Sequence, residues 1–559
     1  MKDLASPARP VTPSRGNSTT RRQFLARIRG GAGAALASTT VSFRTSANAG
    51  EGRDDDSGGV GTERVLDSYE VREQAARSET KVPIPRQITN GDERRYQNQN
   101  YIGNYSKGLR HNSLGEVDPV AYRSLLKGLR QGTYTALEDN IMLGADPGTK
   151  LVNPLAGLAF DLEGTDSHQL KIPPFPELKS KALADQAVEL YWMALCRDVD
   201  FGRYGIDPKT IAAASELGVT AQTLFRGFTT GDVIGPYVSQ FLIKPFDYGP
   251  YAMSGLMTVA QAGIDYLTDV NSWLKNQSGT PSAGDPPDSM PQSVRNGRDL
   301  ATYVHTDPNA GLFMSAYNAG IFLYQNGAPP NKGNPYPGYK KQSPFGTFGV
   351  PFFLGLIGEA AARAFKAAWY AKWFVHRALR PDQYGGLVHM KLTGPKKNYP
   401  VDDRILTSMA VGETFSKFGS YLLPQAYPEA GPQHPSYPSG HATMAGACAT
   451  ILKAAFDGSA IFAVLTDNTV VAASVDGSPP VPVGKDPGLT IGGEIDKLAS
   501  NIAFGRNFAG IHWRSDAEEG MRLGEAVALS ILRDQGDNYP GENFKGFTIT
   551  KFDGTTVTV

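Results

Sequence analysis

Apolar residues recur at helical spacing through most of the chain between about residues 90 and 535. In the segment 180–198, one stripe is formed by Leu183, Ala187, Leu190, Tyr191 and Ala194, a spacing that suits a helix with one buried face. The same spacing predicts further helices over 297–326, 350–379, 401–422, 439–457, 490–508 and 515–533. The pattern therefore predicts a mainly α protein, built from helical bundles that pack against each other and are joined by long loops.

Two segments depart from this pattern. Residues 50–90 are acidic, glycine-rich and poor in large apolar side chains, which predicts a linker or an N-terminal arm. The last residues, FKGFTITKFDGTTVTV, alternate apolar and polar positions around an Asp-Gly turn and predict a small C-terminal β hairpin. We expect one helical domain over 91–559 that includes this hairpin.

The first 49 residues have the features of an export signal. Arg21 and Arg22 precede a Phe-Leu pair and a weakly apolar Gly/Ala stretch, and Ala-Asn-Ala at 47–49 suits a cleavage site. We predict a twin-arginine signal over 1–49 and a protein exported to the periplasm or the extracellular medium. The alternative is a basic disordered tail, since three further arginines interrupt the apolar stretch. No later run reaches the roughly 18 apolar residues of a membrane-spanning helix.

The composition restricts the chemistry. The 55 basic residues balance the 55 acidic ones, so no overall field favours nucleic acid or an acidic membrane. Cys196 and Cys448 lie in apolar helical surroundings, which predicts buried free thiols rather than metal ligands. Any reaction must therefore depend on histidine and on local charge.

The stretch HPSYPSGHAT, residues 434–443, predicts half of an anion site. Ser439 precedes a helical apolar pattern and is a candidate N-cap. Helix N-termini offer free N–H groups and a partial positive charge, and Gly440 lets a ligand approach the backbone. His441 follows in the first turn. Taken alone, the same residues could simply begin a helix.

A second segment supplies two cations. Lys372 and Arg380 are eight residues apart, about 80° around an ideal helix. Pro381 closes the predicted helix and biases Arg380 away from the α region, so both side chains could reach one point. The alternative is a solvated basic helix end.

A third segment, GRNFAGIHWRSD, adds Arg506, His512 and Asp516. If a helix begins here, the carboxylate of Asp516 could accept a hydrogen bond from one ring nitrogen of His512 and fix its tautomer. The alternative is a core histidine beside a surface aspartate. Together the three segments would bind a small tetrahedral oxyanion, because converging cations repel one another without an anion between them.

Lys-x7-Arg-Pro, Pro-Ser-Gly-His and Arg-x5-His-x3-Asp together resemble the signature of vanadium-dependent haloperoxidases and the related acid phosphatases. The phosphatases usually have six residues between the lysine and the arginine. The spacing of seven, with ELYWMALCRDV, RDLATYVHTD and GIHWRSD, is similar to algal and bacterial bromoperoxidases over most of residues 90–555. For the fold we expect two four-helix-bundle-like cores.

The resemblance implies a role for each matching residue. His512 would coordinate the vanadium of one vanadate per subunit, and His441 would act as acid and base when hydrogen peroxide enters. Lys372 would also polarise the bound peroxide, and a halide would then be oxidised to a hypohalous-acid equivalent that halogenates a small organic acceptor. The complete implied vanadate-binding set is Lys372, Arg380, Ser439, Gly440, His441, Arg506 and His512.

The resemblance also implies supporting residues. His434 occupies the position where bromoperoxidases carry histidine and fungal chloroperoxidases an aromatic residue, so we predict bromide and iodide over chloride. The alternative is an ordinary loop histidine. Asp307 is a candidate for pairing with Arg380 or Arg506. Trp369 and Trp373 could shape the pocket, but core packing is the favoured interpretation.

Two further functions remain open. Phosphate has the shape of vanadate, so a soluble acid phosphatase could use His512 as the nucleophile that forms phosphohistidine and His441 as the acid for the leaving group. A catalytically silent anion-binding protein would need neither histidine. We expect no nucleic-acid partner and no membrane span. The large assemblies of red-algal relatives lead us to expect a homo-oligomer.

Overall fold

The structure is a computed structural model that describes residues 58–145, 148–288, 290–306, 311–467, 469–474, 480–483, 487–539 and 544–559. The predicted export signal over 1–49 and the candidate residue Asp307 lie outside the described residues. The chain divides into a unit Met1–Val65, of which only the helical backbone from Gly58 is described, and a compact unit Leu66–Val559.

Helices dominate the described part of the chain, which agrees with the predicted fold class. They are α1 (Gly58–Lys81), α2 (Asp92–Arg95), α3 (Pro119–Gln131), α4 (Tyr134–Asn140), α5 (Lys181–Leu195), α6 (Pro208–Leu217), α7 (Gln240–Ile243), α8 (Val270–Gln277), α9 (Gly297–Thr306), α10 (Met314–Gln325), α11 (Val350–Tyr370), α12 (Pro381–Leu392), α13 (Asp403–Leu406), α14 (Met409–Phe418), α15 (Gly440–Ala455), α16 (Ile491–Phe508) and α17 (Arg514–Gly536). In the described part of the chain, no helix has both the length and the apolar content needed to cross a bilayer.

The strands form three small antiparallel hairpins. They are β1 (Phe246–Tyr248) with β2 (Tyr251–Met253), β3 (Val471–Ala472) with β4 (Val481–Pro482), and β5 (Thr548–Thr550) with β6 (Thr556–Thr558). In the last hairpin Thr548 pairs with Thr558, and the strands are joined through the predicted Asp-Gly turn. The predicted C-terminal β hairpin is therefore confirmed.

A four-helix bundle of α11, α15, α16 and α17 holds the centre of the molecule. Every residue of α15 is buried, so this helix is surrounded by its neighbours. Glycines allow α15 and α17 to approach closely: a Cβ at Gly524 would lie 1.9 Å from the carbonyl oxygen of Thr443, and one at Gly446 would lie 2.2 Å from that of Met521. The resulting backbone contact fixes the first two turns of α15 against the middle of α17.

A second group of helices surrounds α5, which packs against α6, α13, α14 and α16. One continuous apolar core joins this group to the central bundle, and a smaller cluster around Tyr105, Tyr122 and Trp373 lies beside it. Cys196 and Cys448 are buried free thiols in this core, as predicted.

Three predicted helix boundaries are wrong. The helix predicted over 350–379 is α helix only to Tyr370; it continues as a π-helix, Ala371–His376, and ends where Arg377 takes a left-handed φ of 41°. Pro381 does not close that helix but begins α12, because proline suits the first helical position, where its missing N–H has no partner to lose. The regions 297–326 and 401–422 each contain two helices.

Candidate active site

The first part of the site is the loop 434–439 that leads into α15. Ser439 has an extended backbone, and its Oγ accepts a hydrogen bond from the N–H of Ala442 at 3.4 Å, which makes it the N-cap of α15 as predicted. The N–H of Ser439 donates to the carbonyl oxygen of Asp516 at 3.0 Å. The start of α15 is thus tied to the first turn of α17.

Lys372 lies in the π-helix that follows α11. Its side chain is fully buried, and Nζ donates to the carbonyl oxygens of Pro435 and Ser436 at 2.8 and 2.6 Å. Among the described residues neither a third acceptor nor a carboxylate pairs with this ammonium group. A buried cation without a counter-ion is expensive, so this lysine is suited to an anion.

Arg380 reaches the same loop from the start of α12. Its backbone is extended, as the following proline predicts. Nε donates to the carbonyl oxygen of His434 at 2.9 Å, Nη1 to that of Ile511 at 2.7 Å, and Nη2 to Nδ1 of His434 at 2.9 Å. Nη1 also lies 3.2 Å from Nε2 of His512. All these acceptors are uncharged, so the guanidinium keeps its full positive charge within the site.

His512 precedes α17, and Asp516 lies in the first turn of that helix. The carboxylate oxygen Oδ2 of Asp516 accepts from Nδ1 of His512 at 2.7 Å, from the N–H of Trp513 at 3.1 Å, and from Oγ of Ser436. The predicted hydrogen bond therefore exists, although His512 stands just outside the helix. Because Nδ1 donates to the carboxylate, the lone pair of Nε2 is directed toward Arg380 and the site.

Arg506 completes the cations from the last turn of α16. Its Nη1 donates to the carbonyl oxygen of Val304 at 2.8 Å, and its guanidinium lies 5.5 Å from the centre of the Tyr427 ring. Its buried Nε has no hydrogen-bond partner among the described residues. One donor of this side chain is therefore available to a ligand.

Burial and mutual electrostatic interactions shift the pKa values of these groups. Burial, and then the neighbouring Arg380, lower the pKa of Lys372 well below its ordinary value. Burial and then Arg380, Lys372 and Arg506 lower the pKa of His512 in the same way, so the imidazole is neutral. Burial raises the pKa of Asp516 to about 6, which leaves this carboxylate ionised at neutral pH. Lys372, Arg380 and Arg506 therefore lie close enough to influence one another.

The remaining predicted residues lie around this cluster. Gly440 is the first residue of α15, and a Cβ there would lie 2.9 Å from the ring of Trp369. His441 is the second residue of α15 and is buried. The ring of His434 packs on that of Trp369 at 4.8 Å, and burial and then Lys372 lower its pKa well below the ordinary value.

The donor set fits a small tetrahedral oxyanion such as vanadate. The cations supply charge, the unused Nε of Arg506 supplies a donor, and the start of α15 directs its N–H groups and its partial positive charge toward a ligand. A neutral imidazole whose other nitrogen is held by a carboxylate is the usual arrangement of a metal-binding histidine. The site can therefore hold an anion and offer one nitrogen to its central atom.

Ser436 was missed from the sequence, and core packing was the favoured interpretation of Trp369. Ser436 donates to Asp516 and offers its carbonyl oxygen to Lys372, which joins the second and third segments. Only its place within the Pro-Ser-x-Pro-Ser-Gly-His stretch could have marked it. Trp369 lies against His434 and 5.8 Å from Nζ of Lys372, so it is at the site rather than in the core. Trp373 is fully buried in the smaller apolar cluster, which agrees with the core packing favoured from the sequence.

Comparisons with known proteins agree with this geometry. Residues 353–535 match the family model described as "VCPO second helical-bundle domain". The chain is 32% identical to the vanadium-dependent bromoperoxidase of Corallina pilulifera, over 89% of this chain and 98% of that protein. It is 33% identical to the enzyme of the same name from Ascophyllum nodosum, over 85% of this chain and 89% of that protein.

A solved structure is also similar. The homohexameric structure of the second vanadate-dependent bromoperoxidase from Ascophyllum nodosum superposes with a TM-score of 0.84, at 28% identity and over 95% of each chain. The likeness therefore includes nearly the whole chain and is not limited to the bundle that carries the site.

Proposed function

The chain belongs to the vanadium-dependent bromoperoxidase family, and from that premise we propose that it oxidises bromide and iodide with hydrogen peroxide. The product is a hypohalous-acid equivalent, which halogenates a small organic acceptor. The observation that carries the proposal is the buried set of three cations around one neutral histidine, with no carboxylate paired to the ammonium group of Lys372 among the described residues.

The bound group is one vanadate per subunit, since the cations converge on one place. When bound, vanadate supplies a Lewis-acid centre that makes peroxide oxygen electrophilic toward a halide. Nε2 of His512 is the nitrogen that would bind vanadium, because Nδ1 already donates to Asp516. The vanadate oxygens would be held by Lys372, Arg380, Ser439, the N–H of Gly440, and Arg506.

The protein residues perform the proton and charge chemistry. An imidazole nitrogen of His441 would accept a proton from hydrogen peroxide as it enters, and would return a proton to the oxygen that leaves as water when the O–O bond breaks. Lys372 would place its positive charge beside the oxygen that gains electron density when the O–O bond breaks. Asp516 and Ser436 keep Nδ1 of His512 protonated and its ring fixed.

His434 favours bromide and iodide over chloride in this proposal. Its neutral ring is held at the edge of the site by Arg380 and Trp369, with Nδ1 accepting from the guanidinium. This polar ring at the edge of the site is the feature that we propose acts in halide choice. Asp307 remains a candidate partner for Arg380 or Arg506.

Three further proposals concern assembly, export and domain organisation. We propose that the chain forms a homo-oligomer, as the hexameric neighbour does. We also propose that residues 1–49 are a twin-arginine signal that directs export to the periplasm or the extracellular medium. Residues 50–90 would then be an N-terminal arm of the mature chain, followed by the haloperoxidase domain over 91–559.

A bromination assay tests the function. Purified protein is loaded with orthovanadate in phosphate-free buffer, and loss of the ultraviolet absorbance of a cyclic dione is followed with bromide and hydrogen peroxide. We expect bromination that needs all three additions and is suppressed when phosphate is present during loading. Rapid hydrolysis of a phosphate monoester, inhibited by vanadate and without bromination, would instead establish the acid phosphatase.

A further inference from the structure

A row of side chains leads from the surface of the protein to Arg506 in the candidate active site. Tyr427 is buried, and the guanidinium of Arg506 lies over its ring, 5.5 Å from the ring centre. The ring of His305 stacks on that of Tyr427, with 3.9 Å between the ring centres and 13° between the ring planes. Nε2 of His305 donates to a carboxylate oxygen of Glu429. Because His305 and Glu429 are both partly exposed, the row connects solvent with one cation of the site.

The guanidinium of Arg506 depends on packing more than that of Arg380 does. Arg380 donates to the carbonyl oxygens of His434 and Ile511 and to the ring of His434, so hydrogen bonds fix its plane. Among the described residues, the one hydrogen bond of the Arg506 guanidinium runs from Nη1 to the carbonyl oxygen of Val304 at 2.8 Å. A single hydrogen bond does not fix the plane of a guanidinium, whereas contact with the flat face of an aromatic ring restricts it.

The ring of Tyr427 is itself held by α9. Its hydroxyl donates to the carbonyl oxygen of Ala301, which anchors one end of the ring. His305, one turn further along α9, packs on the face of the ring. Val304, which accepts from Arg506, belongs to the same helix. One helix therefore holds Arg506 both directly and through Tyr427.

Glu429 in turn holds His305. The carbonyl oxygen of Glu429 accepts from Nζ of Lys107 at 2.8 Å and from Nδ2 of Asn276 at 3.1 Å, so its backbone is fixed. Burial would raise the pKa of Glu429, but the hydrogen bond from His305 and the interactions with His305 and Arg506 lower it below its ordinary value. The carboxylate is therefore ionised at neutral pH and keeps the imidazole in its stacked place.

We propose that three side chains position the guanidinium of Arg506 for an oxyanion: Tyr427, His305 and Glu429. This inference rests on the proposed function, in which Arg506 holds an oxygen of vanadate. A donor that is fixed before the anion arrives loses less conformational freedom on binding, so the anion binds more tightly. Loss of the His305 ring should therefore weaken anion binding, although this ring is separated from Arg506 by Tyr427.

Two substitutions of His305 test the stacked contact in the full chain. His305→Ala removes the ring and should weaken vanadate binding about three- to tenfold in ⁵¹V NMR titrations, the range expected for one aromatic pair. His305→Phe keeps a flat ring on Tyr427 and should stay within about twofold of the wild-type affinity. Unchanged affinity in His305→Ala, or an equal loss in His305→Phe, would overturn the proposal.

Phe415→Ala is the matched control. Phe415 is also partly exposed, and its ring stacks on that of Tyr421 at 4.4 Å and 21°, but neither ring belongs to the row that leads to Arg506. Phe415→Ala should therefore keep the wild-type affinity for vanadate. A loss as large as that of His305→Ala would show that removal of any such ring disturbs the protein, and would refute a specific role of His305.

A double-mutant cycle tests whether His305 acts through Arg506. In an Arg506→Gln background the guanidinium is absent, so His305→Ala should change vanadate affinity by less than about twofold. An equal loss in both backgrounds would contradict the proposal, since a residue that damages the fold or the site in general has the same effect with or without Arg506.

The same samples separate this inference from the proposed function. A wild type that binds vanadate but does not brominate would refute the proposed function, and the affinities of the His305 variants would still decide the inference. If the wild type binds phosphate and not vanadate, the comparison is made with inorganic phosphate by ³¹P NMR and has the same expected and contradicting results. A wild type that binds neither anion would overturn both proposals.

Discussion

Replacing Lys372 by methionine should leave the anion-free protein about as stable as the wild type while removing its stabilisation by vanadate. The natural control is Lys107, which is also fully buried. Lys107 donates to Asp382 at 3.2 Å and to the carbonyl oxygen of Glu429 at 2.8 Å, so its charge has a counter-ion. The two lysines therefore differ in whether a carboxylate pairs with their charge.

The repulsion between Lys372 and Arg380 can be estimated from the contacts of Pro435. Its carbonyl oxygen accepts from Nζ of Lys372 at 2.8 Å and from Nη2 of Arg380 at 3.4 Å, so the two nitrogens are at most about 6 Å apart. Two unit charges at ~6 Å repel by about 3 kcal/mol at an effective dielectric constant of about 20. Methionine removes this repulsion but leaves the carbonyl oxygen of Ser436 without its donor, a cost of about 1–3 kcal/mol.

The two terms nearly cancel, so Lys372→Met should change the free energy of unfolding by less than about 2 kcal/mol without an anion. Lys107→Met should cost about 3–5 kcal/mol, because it leaves Asp382 buried and without its lysine. With vanadate, loss of one oxyanion donor costs about 3 kcal/mol, which weakens binding by roughly 100-fold.

Urea unfolding, followed by tryptophan fluorescence, measures both quantities. Vanadate at about 100 times the wild-type Kd should stabilise the wild type by about 2.7 kcal/mol and Lys372→Met by well under half of that. Lys107→Met should be less stable but should still gain from vanadate. The reasoning is refuted if Lys372→Met loses 3–5 kcal/mol without vanadate, as its control does, and still gains the full amount with it.

Three further predictions concern histidines. His512→Ala should lose vanadate binding in ⁵¹V NMR, whereas His441→Ala should keep it and brominate about 100-fold more slowly or worse; equal loss of binding in both would contradict the assigned roles. His434→Phe should raise kcat/KM for chloride relative to bromide, and an unchanged ratio would count against a part in halide choice. Burial lowers the pKa of His376 to about 3, so its contribution to stability is complete above its ordinary pKa of about 6.5 and falls by about 1.4 kcal/mol per pH unit as the pH drops toward 3. In His376→Phe the dependence of the unfolding free energy on pH should be less steep by that amount between pH 6 and 4. Equal slopes in the variant and the wild type would show that this ring is not responsible.

Local signals predicted the helices of the central bundle well. The expected segments 439–457, 490–508 and 515–533 correspond to Gly440–Ala455, Ile491–Phe508 and Arg514–Gly536. Ser439 and Thr490 are N-caps whose side chains accept from the first turn, so these starts are encoded locally.

The missed features depend on contacts that are distant in sequence. The periodicity of 350–379 is unbroken, and nothing local indicated the π-helix or the left-handed turn at Arg377. That turn is held by an ion pair to Glu93, with Nε of Arg377 2.6 Å from the carboxylate. Similarly, the helix α1 was not predicted, because its sequence has no apolar stripe that a core would require.

The sequence predicted which residues form the site but not the hydrogen bonds that hold them together. Motif spacing brought together Lys372, Arg380 and His512, while the loop that joins them was not apparent. The carbonyl oxygen of Pro435 accepts from Lys372 and Arg380, that of Ser436 accepts from Lys372, and the hydroxyl of Ser436 donates to Asp516. Backbone acceptors carry no signal in a sequence, so this part required the structure.

The most direct test is a crystal structure of the vanadate-loaded protein, with anomalous data collected at the vanadium absorption edge. The account predicts one vanadium peak per subunit at bonding distance from Nε2 of His512, with Lys372, Arg380 and Arg506 around its oxygens. A vanadium peak bonded to another residue, or vanadate found only outside this cluster, would contradict the account.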